Sequence, residues 1–156
     1  AAQKSRRRQV VFGIVNNRFD FQEMAKRSLG ATWNKLNSSQ REDFSRLFSE
    51  LVVESYADKV EKYIQHVGLE YTGEMVEGNF AEVKTVVVRS NDRIPLNYRL
   101  LQEPGGWKVY DVIIEGVSLV NNYRSQFSRI ISEKSYGELV SRLRNKVREL
   151  RETEKM

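Results

Sequence analysis

The sequence predicts an α+β fold: a curved antiparallel four-stranded sheet covered on one face by N- and C-terminal helices. Apolar residues recur at steps of three and four before residue 66 and after residue 118, as in helices, whereas the period falls to two between 67 and 115. Short turns separate the strands, which favours an antiparallel meander. The length suits one domain, 1–156, with helices in 1–66, a sheet in 67–115 and further helices in 118–153.

The composition is that of an ordinary globular protein. Hydrophobic residues make up 40% of the chain and charged residues 30%, and no apolar run approaches the roughly 18 residues that a membrane-spanning helix needs. The chain contains no cysteine, which excludes disulfides, zinc–thiolate sites and a cysteine nucleophile. The sequence therefore predicts neither an integral membrane protein nor a cysteine-dependent enzyme.

The net charge of +5 is concentrated at the two ends of the chain. Residues 1–8 carry four cations and no anion, and residues 134–156 carry seven cations and four anions, so the part between them is nearly neutral. Three interpretations follow: solvated helix faces, an electrostatic docking surface for anionic lipid headgroups or an acidic protein, or nucleic-acid binding. The third is disfavoured, because no basic stripe alternates with aromatic residues.

Two short helices are predicted at the start of the chain. The first covers the apolar run and asparagine stop of residues 10–17. Asp20 followed by Glu23 has the form of a capping box, and Phe19 stands where a hydrophobic staple residue belongs. The second helix is therefore predicted over Phe21–Gly30.

The strongest helix signal covers Gln40–Gln65, after a second potential capping box of Ser39 and Glu42. The apolar face is wide, because Val53 and Ala57 extend it beyond a single packing seam. Two interpretations remain open: the face is ordinary core, or it also lines a cavity. The apolar residues at helical spacing are Phe44, Leu47, Phe48, Leu51, Val52, Tyr56, Val60, Tyr63 and Ile64.

Four strands are predicted between residues 67 and 115. Runs rich in β-branched and aromatic residues are separated by turns at 77–79, 90–95 and 103–106. The last strand is apolar on both alternate faces, which is typical of a central strand with both sides covered. The predicted strands are Leu69–Val76, Phe80–Arg89, Leu96–Gln102 and Trp107–Ile114.

Asp111 is the one acidic residue of that last strand. Strict alternation places it on the face of Val109 and Ile113, where an unpaired carboxylate is costly to bury. It is interpreted either as a structural carboxylate paired with Arg99, Arg124 or backbone amides, or as a general base in a cone-shaped pocket. The structural interpretation is favoured, because the sequence supplies no obvious second catalytic group.

Two helices are predicted after the sheet. Glu115 and Gly116 end the last strand, and Ser118 is placed to N-cap the first of these helices. Ser135 with Glu138 has the form of a capping box for the second helix, which becomes uniformly charged toward the end of the chain.

Few residues suggest catalysis or metal binding. The only histidine, His66, stands at the end of the long helix, where an interaction with the helix dipole explains it. A transition-metal site is not predicted, and the chain has no Gly-x-Ser-x-Gly elbow, phosphate loop or dinucleotide fingerprint. Tyr98, Tyr110, Tyr123 and Arg124 are candidates for the mouth of a pocket, although packing in the core and at its rim explains them equally well.

Several separated motifs, in order, resemble one known family. FDFQEMAKRSLG followed by Trp33, PLNYRL with Pro95 and Tyr98, and the block WKVYDV, EGVSLV and NYRSQF are similar to the toluene-tolerance family of periplasmic phospholipid carriers. The resemblance covers roughly residues 10–143. The chain starts closer to FDF than members of that family usually do and shows no clear signal peptide, so we expect an initial helix and a removed signal before it.

The resemblance implies a fold and a function. The expected fold is NTF2-like or cystatin-like, and the expected protein is a periplasmic monomer, not an enzyme, with no cofactor, metal or nucleic-acid partner. Its cargo is a glycerophospholipid. Its expected partners are an inner-membrane ABC transporter complex and an outer-membrane lipoprotein complex, between which it shuttles lipid.

A carrier of this kind needs an apolar cavity. Each buried methylene is worth about 0.8 kcal/mol, so two acyl chains with about 30 methylenes would cost on the order of 24 kcal/mol to expose. Lifting the long helix away from the sheet is expected to open the cavity. The predicted lining consists of Phe21, Met24, Trp33, Phe48, Leu51, Val52, Tyr56, Val86, Val88, Tyr98, Leu100, Val109, Tyr123 and Phe127.

Two other functional classes fit the same composition. One is a small NTF2-like enzyme or a binding protein for another hydrophobic small molecule, and the other is a protein-only adaptor. Phospholipid recovered from the purified protein would favour the carrier, whereas turnover of a ketone or enol by an empty protein would favour the enzyme.

Overall fold

The computed structural model describes residues 18–66, 68–89 and 92–155, with side chains for all of these except 57–66, 68–69, 89 and 153–155. The predicted helix over residues 10–17 lies outside these ranges. The helices are α1 (Phe21–Leu29), a 3-10 helix (Gly30–Lys35), α2 (Ser38–His66), α3 (Leu119–Glu133) and α4 (Tyr136–Lys155). The strands are β1 (Gly68–Glu77), β2 (Phe80–Arg89), β3 (Asp92–Glu103), β4 (Gly106–Ile114) and β5 (Val117–Ser118).

Helix α1 begins where the helical layer meets the sheet. Its N-cap Asp20 accepts a hydrogen bond from the Glu23 backbone N–H at 2.9 Å, as predicted. The Glu23 side chain pairs with Arg27 at 3.0 Å, because the Asp20 N–H already donates to the Val109 carbonyl at 2.9 Å. Phe19 also bridges to Val109 in parallel fashion. The start of α1 is thereby tied to strand β4.

Helix α2 begins two residues earlier than predicted, with a different capping box. The Gln40 N–H donates to Asn37 Oδ1 at 2.8 Å, and the Asn37 N–H donates to Gln40 Oε1 at 2.9 Å. The predicted box of Ser39 and Glu42 is wrong, because the helix starts at Ser38 and its N-cap position is therefore Asn37.

The helices after the sheet start where the sequence predicts. The Ser118 hydroxyl accepts a hydrogen bond from the Asn121 N–H at 3.1 Å, and the Ser135 hydroxyl accepts one from the Glu138 N–H at 3.0 Å. The Glu138 side chain pairs with Arg142 one turn later, at 3.0 Å. Both predicted N-caps are confirmed.

The sheet is an antiparallel meander in the order β1-β2-β3-β4-β5. The predicted count of four strands is one short. Glu115 and Gly116 end β4 as predicted, but they form a two-residue turn in which both φ angles are positive, at 51° and 84°. Turns of this kind reverse a chain within a hairpin, so Val117–Ser118 pairs back on β4 as a fifth strand.

Strand β3 is longer than predicted and contains a proline. Pro95, assigned from sequence to the turn, pairs with Val86 inside the strand. Its carbonyl accepts a hydrogen bond from the Glu115 N–H at 3.0 Å, on the side where β4 has already ended. The N–H and the carbonyl of a strand residue point to the same side. At Pro95 this side lies past the end of β4, so the N–H that proline lacks is not required for a hydrogen bond between strands.

A β-bulge in β4 changes which residues share a face. Arg99 pairs with Asp111 and Leu100 pairs with Val109, so Tyr110 is an extra residue on β4. Directly paired residues of antiparallel strands project to the same side. The predicted placement of Asp111 on the face of Val109 is therefore wrong, because the bulge shifts the alternation between them.

The register divides the sheet into two faces. The apolar face includes Thr85, Val87, Tyr98, Leu100, Val109 and Val112. The polar face includes Lys84, Val86, Val88, Arg93, Arg99 and Asp111. The centre of the apolar face is buried, and the hydroxyl of its buried Thr85 donates to the Leu96 carbonyl. The sheet thus presents one side that suits hydrocarbon and one that suits charge.

A separate apolar cluster is built by the helices. Phe127 of α3 lies edge-on to Phe44 and Phe48 of α2, with ring centres 5.9 Å and 6.3 Å apart. Met24 of α1 and Leu139 of α4 are fully buried in the same cluster. The four helices therefore share one core beside the sheet.

Part of the basic excess of residues 134–156 is paired within the protein. Arg151 of α4 lies 3.7 Å from Glu50 and 3.3 Å from Glu54 of α2. The pair of Arg142 and Glu138 lies along α4 itself. Intramolecular pairing on a helix face therefore accounts for these two cations.

Candidate functional site

The nine helical residues of the predicted lining belong to one apolar cluster. Tyr56 and Tyr123 are half-buried and pack against it, and the others are buried members. Those buried members are Phe21, Met24, Trp33, Phe48, Leu51, Val52 and Phe127. The fold thus brings together residues that are spread over more than a hundred positions of the sequence.

Tyr123 lies at the edge of this cluster. Its ring centre is 5.5 Å from that of Phe48 and 5.5 Å from that of Phe127. Burial raises the pKa of Tyr123 well above its ordinary value of 10, the proximity of Tyr56 raises it further, and a hydrogen bond with Ser55 opposes the rise. Its hydroxyl is therefore neutral at physiological pH, which suits a polar tip on an apolar side chain.

The five sheet residues of the predicted lining do not all share a face. Tyr98, Leu100 and Val109 lie on the apolar face, whereas Val86 and Val88 lie on the polar face beside charged residues. Burial raises the pKa of Tyr98. A cavity against one side of the sheet can therefore be lined by the first three but not by the two valines.

Asp111 is held as a structural carboxylate. It is 4% exposed, and its Oδ1 accepts hydrogen bonds from the backbone N–H groups of Val112 at 2.8 Å and Val120 at 3.0 Å. Its Oδ2 accepts one from the Ser118 hydroxyl, and Arg99 Nη1 lies 3.9 Å away. Both oxygens are engaged at the N-terminus of α3, where a negative charge is favourable. This environment supports the structural interpretation over that of a general base.

A pocket of about 310 Å³, which we call the cationic pocket, opens between α1, the 3-10 helix, the start of α3 and the polar face of the sheet. The bulge in β4 turns both Tyr110 and Asp111 toward it. The Arg27 guanidinium lies 4.2 Å from the centre of the Tyr110 ring. The pocket is lined by Lys26, Arg27, Gly30, Trp33, Asn34, Arg99, Tyr110, Asp111, Val120, Asn121 and Arg124.

The sequence does not predict this pocket. Of its four cations, Arg99 and Arg124 are considered from sequence only as partners of Asp111 or as residues of a pocket mouth. Lys26 and Arg27 look like ordinary cations in the last turn of a helix. Only the packing of α1 and α3 against the bulged strand brings the four together, so no local pattern indicates them.

A second pocket, of about 340 Å³, lies between α2 and α4. Its rim carries both signs of charge, with Asp43 and Glu50 against Arg46 and Arg144. Its remaining lining is Gln40, Phe44, Leu47, Tyr136 and Val140. The mixed rim favours neither an anionic nor a cationic ligand.

None of the helices that the structure describes is long and apolar enough to cross a membrane. Within the same residues, no group of three or more histidine, aspartate or glutamate side chains is placed to hold a metal ion.

The chain is similar to proteins of one family over most of its length. The model of the MlaC protein family matches residues 1–145. The intermembrane phospholipid transport system binding protein MlaC of Haemophilus influenzae is 26% identical over 120 residues, which is 74% of this chain and 56% of that protein. The chain thus spans little more than half the length of this curated relative.

A solved structure resembles the whole described fold. It is the phospholipid-binding protein from Ralstonia solanacearum in complex with a phospholipid, and it is 27% identical to this chain. The superposition has a TM-score of 0.83 and covers 92% of this chain and 83% of the other. The family model and the solved structure thus agree across nearly all of the sequence, and we conclude that the chain belongs to the MlaC protein family.

Proposed function

We propose that the protein binds a glycerophospholipid as cargo and keeps its acyl chains in an apolar cavity. The observation that carries this proposal is the likeness of 92% of the chain to a structure solved with a phospholipid bound. The name of the Haemophilus influenzae relative, a binding protein of intermembrane phospholipid transport, supports it. In this proposal residues 1–156 form one carrier domain.

The apolar face of the sheet and the helical cluster supply the chemistry that acyl chains need. Both are built from aliphatic and aromatic side chains, and hydrocarbon gains about 25 cal/mol for each Å² that it removes from water. Tyr98, Leu100 and Val109 form the sheet side of the proposed lining. The helical side consists of Phe21, Met24, Trp33, Phe48, Leu51, Val52, Tyr56, Tyr123 and Phe127. Val86 and Val88 are left out, since they lie on the polar face.

Binding rather than catalysis is the proposed activity. Asp111, the residue that the sequence singles out as a candidate general base, is engaged by backbone amides and the Ser118 hydroxyl. The family relatives are named for binding and transport. The phospholipid is accordingly proposed to be bound and released unchanged, without a cofactor.

The protein is further proposed to act in the periplasm as a shuttle. An outer-membrane lipoprotein complex and an inner-membrane ABC transporter complex are the proposed donor and acceptor, in either order. The word "intermembrane" in the name of the Haemophilus influenzae relative supports a path between two membranes. Transfer of labelled phospholipid between separated donor and acceptor vesicles, faster with the protein than without it, is the expected result.

The test of lipid binding is to identify what the purified protein carries. Organic extracts of protein produced in a Gram-negative host are expected to contain phospholipid in a stoichiometric amount by mass spectrometry. An extract without any fatty acyl compound would contradict the proposal. Turnover of a ketone or enol by that empty protein would favour the enzyme class instead.

Two substitutions probe the lining. Val52→Glu places a charge among the helical lining residues, and Leu100→Trp fills space on the apolar face without adding charge. Both are expected to lower the phospholipid recovered per protein, while Ser128→Glu, at an exposed position of α3, leaves it unchanged. Circular dichroism establishes that each variant is folded, and normal lipid content in a folded Leu100→Trp protein would remove that residue from the lining.

A further inference from the structure

The cationic pocket combines four basic side chains with an apolar floor. Lys26 and Arg27 approach from α1, Arg124 from α3 and Arg99 from β3. Trp33 and Val120 form part of its lining, and both are buried members of the helical apolar cluster. A ligand in this pocket therefore contacts positively charged side chains at its rim. Trp33 and Val120 separate it from the rest of the helical apolar cluster.

The positive charges of the pocket are only partly neutralised by neighbouring carboxylates. Among the residues that the structure describes, neither Lys26 nor Arg124 is paired with a carboxylate. Arg27 shares its charge with Glu23 at 3.0 Å, and Arg99 lies 3.9 Å from Asp111, whose oxygens already accept hydrogen bonds from backbone and hydroxyl donors. An excess of positive charge at the wall of a concave site favours an anionic ligand.

Arg124 is held at the pocket by a close approach to the backbone. It lies against Gly30, where a Cβ atom would come within 3.3 Å of its Nε and Nη2 atoms. Gly30 ends α1 with a positive φ of 59°, a conformation that glycine adopts readily. The absence of a side chain at this position lets the guanidinium lie across the helix end.

Guanidinium groups match the oxygens of a phosphate with paired hydrogen bonds, and a lysine ammonium adds a compact positive charge. We propose that the cationic pocket binds a phosphate ester, which in the cargo is the headgroup phosphate of the glycerophospholipid. The identification of this phosphate ester with the lipid headgroup rests on the function proposed above. The lipid is then held at both ends, by its phosphate in the pocket and by its acyl chains beyond Trp33 and Val120, among the helical lining residues.

The test uses the full chain, stripped of lipid, and the double variant Lys26→Gln/Arg124→Gln. The matched control is Arg129→Gln/Lys134→Gln, which removes two exposed cations of α3 and its C-cap outside the pocket. One arm titrates glycerol 3-phosphate by ³¹P NMR. The other reloads each protein from nonionic detergent with an equimolar mixture of dioleoylphosphatidylglycerol and dioleoylglycerol, which share acyl chains and differ in the phosphate headgroup.

Wild-type protein and the control are expected to bind glycerol 3-phosphate and to prefer the phospholipid. The double variant is expected to lose roughly tenfold in both glycerol 3-phosphate affinity and lipid preference, as the removal of two charge-assisted contacts predicts. Equal melting temperatures establish that folding is unchanged. Behaviour of the double variant indistinguishable from wild type in both arms would overturn the proposal.

The two arms separate this inference from the proposed function. Reloading with both lipids without preference, together with no binding of glycerol 3-phosphate, would overturn the phosphate pocket and leave acyl-chain binding standing. Binding of glycerol 3-phosphate that is lost in the double variant, together with no uptake of either lipid, would support the pocket as a phosphate site and remove lipid carriage.

Discussion

At the level of single residues, the buried side chains of Ser28, Thr85 and Asp111 all form hydrogen bonds within the protein. The Ser28 hydroxyl donates to the Ala25 carbonyl at 2.8 Å within α1, and Thr85 donates to the neighbouring strand. Asp111 is the most demanding case, because it is charged and takes its donors from two elements. A carboxylate held in this way joins the end of the sheet to the start of α3.

Asp111→Asn should therefore lower stability. The substitution removes the charge and replaces one acceptor oxygen with an amide group that faces the Ser118 hydroxyl, at an expected cost of about 1–3 kcal/mol in the free energy of unfolding. Urea denaturation measures the change. Asp43→Asn is the control, since its pair with Arg46 is exposed, and it should cost less than about 0.5 kcal/mol. A loss at Asp111 as small as the control would contradict the structural role.

The turn between β4 and β5 gives a second prediction for single residues. Glu115 has a φ of 51°, a conformation that asparagine and glycine adopt more readily than glutamate. Glu115→Asn is expected to raise the free energy of unfolding by about 0.5–1 kcal/mol, because Asn-Gly suits a turn with two positive φ angles. Gly116→Ala should lower it by about 1–2 kcal/mol, because alanine is strained in that conformation. Denaturant midpoints that move in the opposite directions would refute the turn assignment.

At the level of elements, the start of α2 shows which of two possible capping boxes forms, that of Asn37 and Gln40 or that of Ser39 and Glu42. Asn37 and Gln40 exchange hydrogen bonds at the first turn, whereas Ser39 lies one residue inside the helix and is exposed. Asn37→Ala is expected to lower the free energy of unfolding by about 1 kcal/mol, and Ser39→Ala to change it by less than about 0.5 kcal/mol. Comparable losses for the two variants in thermal and urea unfolding would show that the cap contributes nothing specific.

The helices and strands themselves could be predicted from sequence, because their apolar periodicities are long and distinct. Strand β2 has the predicted bounds, and Ser118 and Ser135 cap the helices that they were expected to cap. The faces of the strands could not be predicted. Residues 86–88 are three consecutive valines, so no alternation shows that Val87 belongs to the apolar face and its neighbours to the polar face. Only the pairing partners decide this.

The bulge in β4 could not be predicted from the sequence for a related reason. The strand is apolar on both sides, so a shift of one residue leaves its hydrophobic pattern intact. Tyr110 is the extra residue, and it carries Asp111 to the face opposite Val109. The helical residues of the candidate lining do lie in one cluster, whereas two of the five sheet residues lie on the opposite face, and the cationic pocket next to the bulge was not predicted. That the clustered residues line a lipid cavity stays a prediction.

At the level of the whole molecule, one contact between the helical layer and the sheet involves two acidic side chains. Asp20 caps α1 and hydrogen-bonds through its backbone to β4, while Glu103 ends β3. When both carboxyls are ionised neither can donate to the other, and the buried Glu103 Oε2 then has no hydrogen-bond partner among the residues that the structure describes. Protonation of Glu103 supplies the missing donor.

The pH dependence of stability follows from this pair. The hydrogen bond with Asp20 raises the pKa of Glu103 from 4.5 to about 7, and burial and the charge of Asp20 act in the same direction, while Lys108 opposes them. Between these two values the folded protein binds more protons than the unfolded chain, so this group's contribution to stability is present below pH 4.5 and is lost as the pH rises through about 7.

Glu103→Gln keeps a donor without a charge, so it should be more stable than wild type at pH 8 and lose that advantage toward pH 4. Urea unfolding across this range measures the difference, with Glu77→Gln, at the exposed end of β1, as the matched change of charge. A constant gap between Glu103→Gln and wild type at every pH would show that the two carboxyls do not share a proton in the folded state.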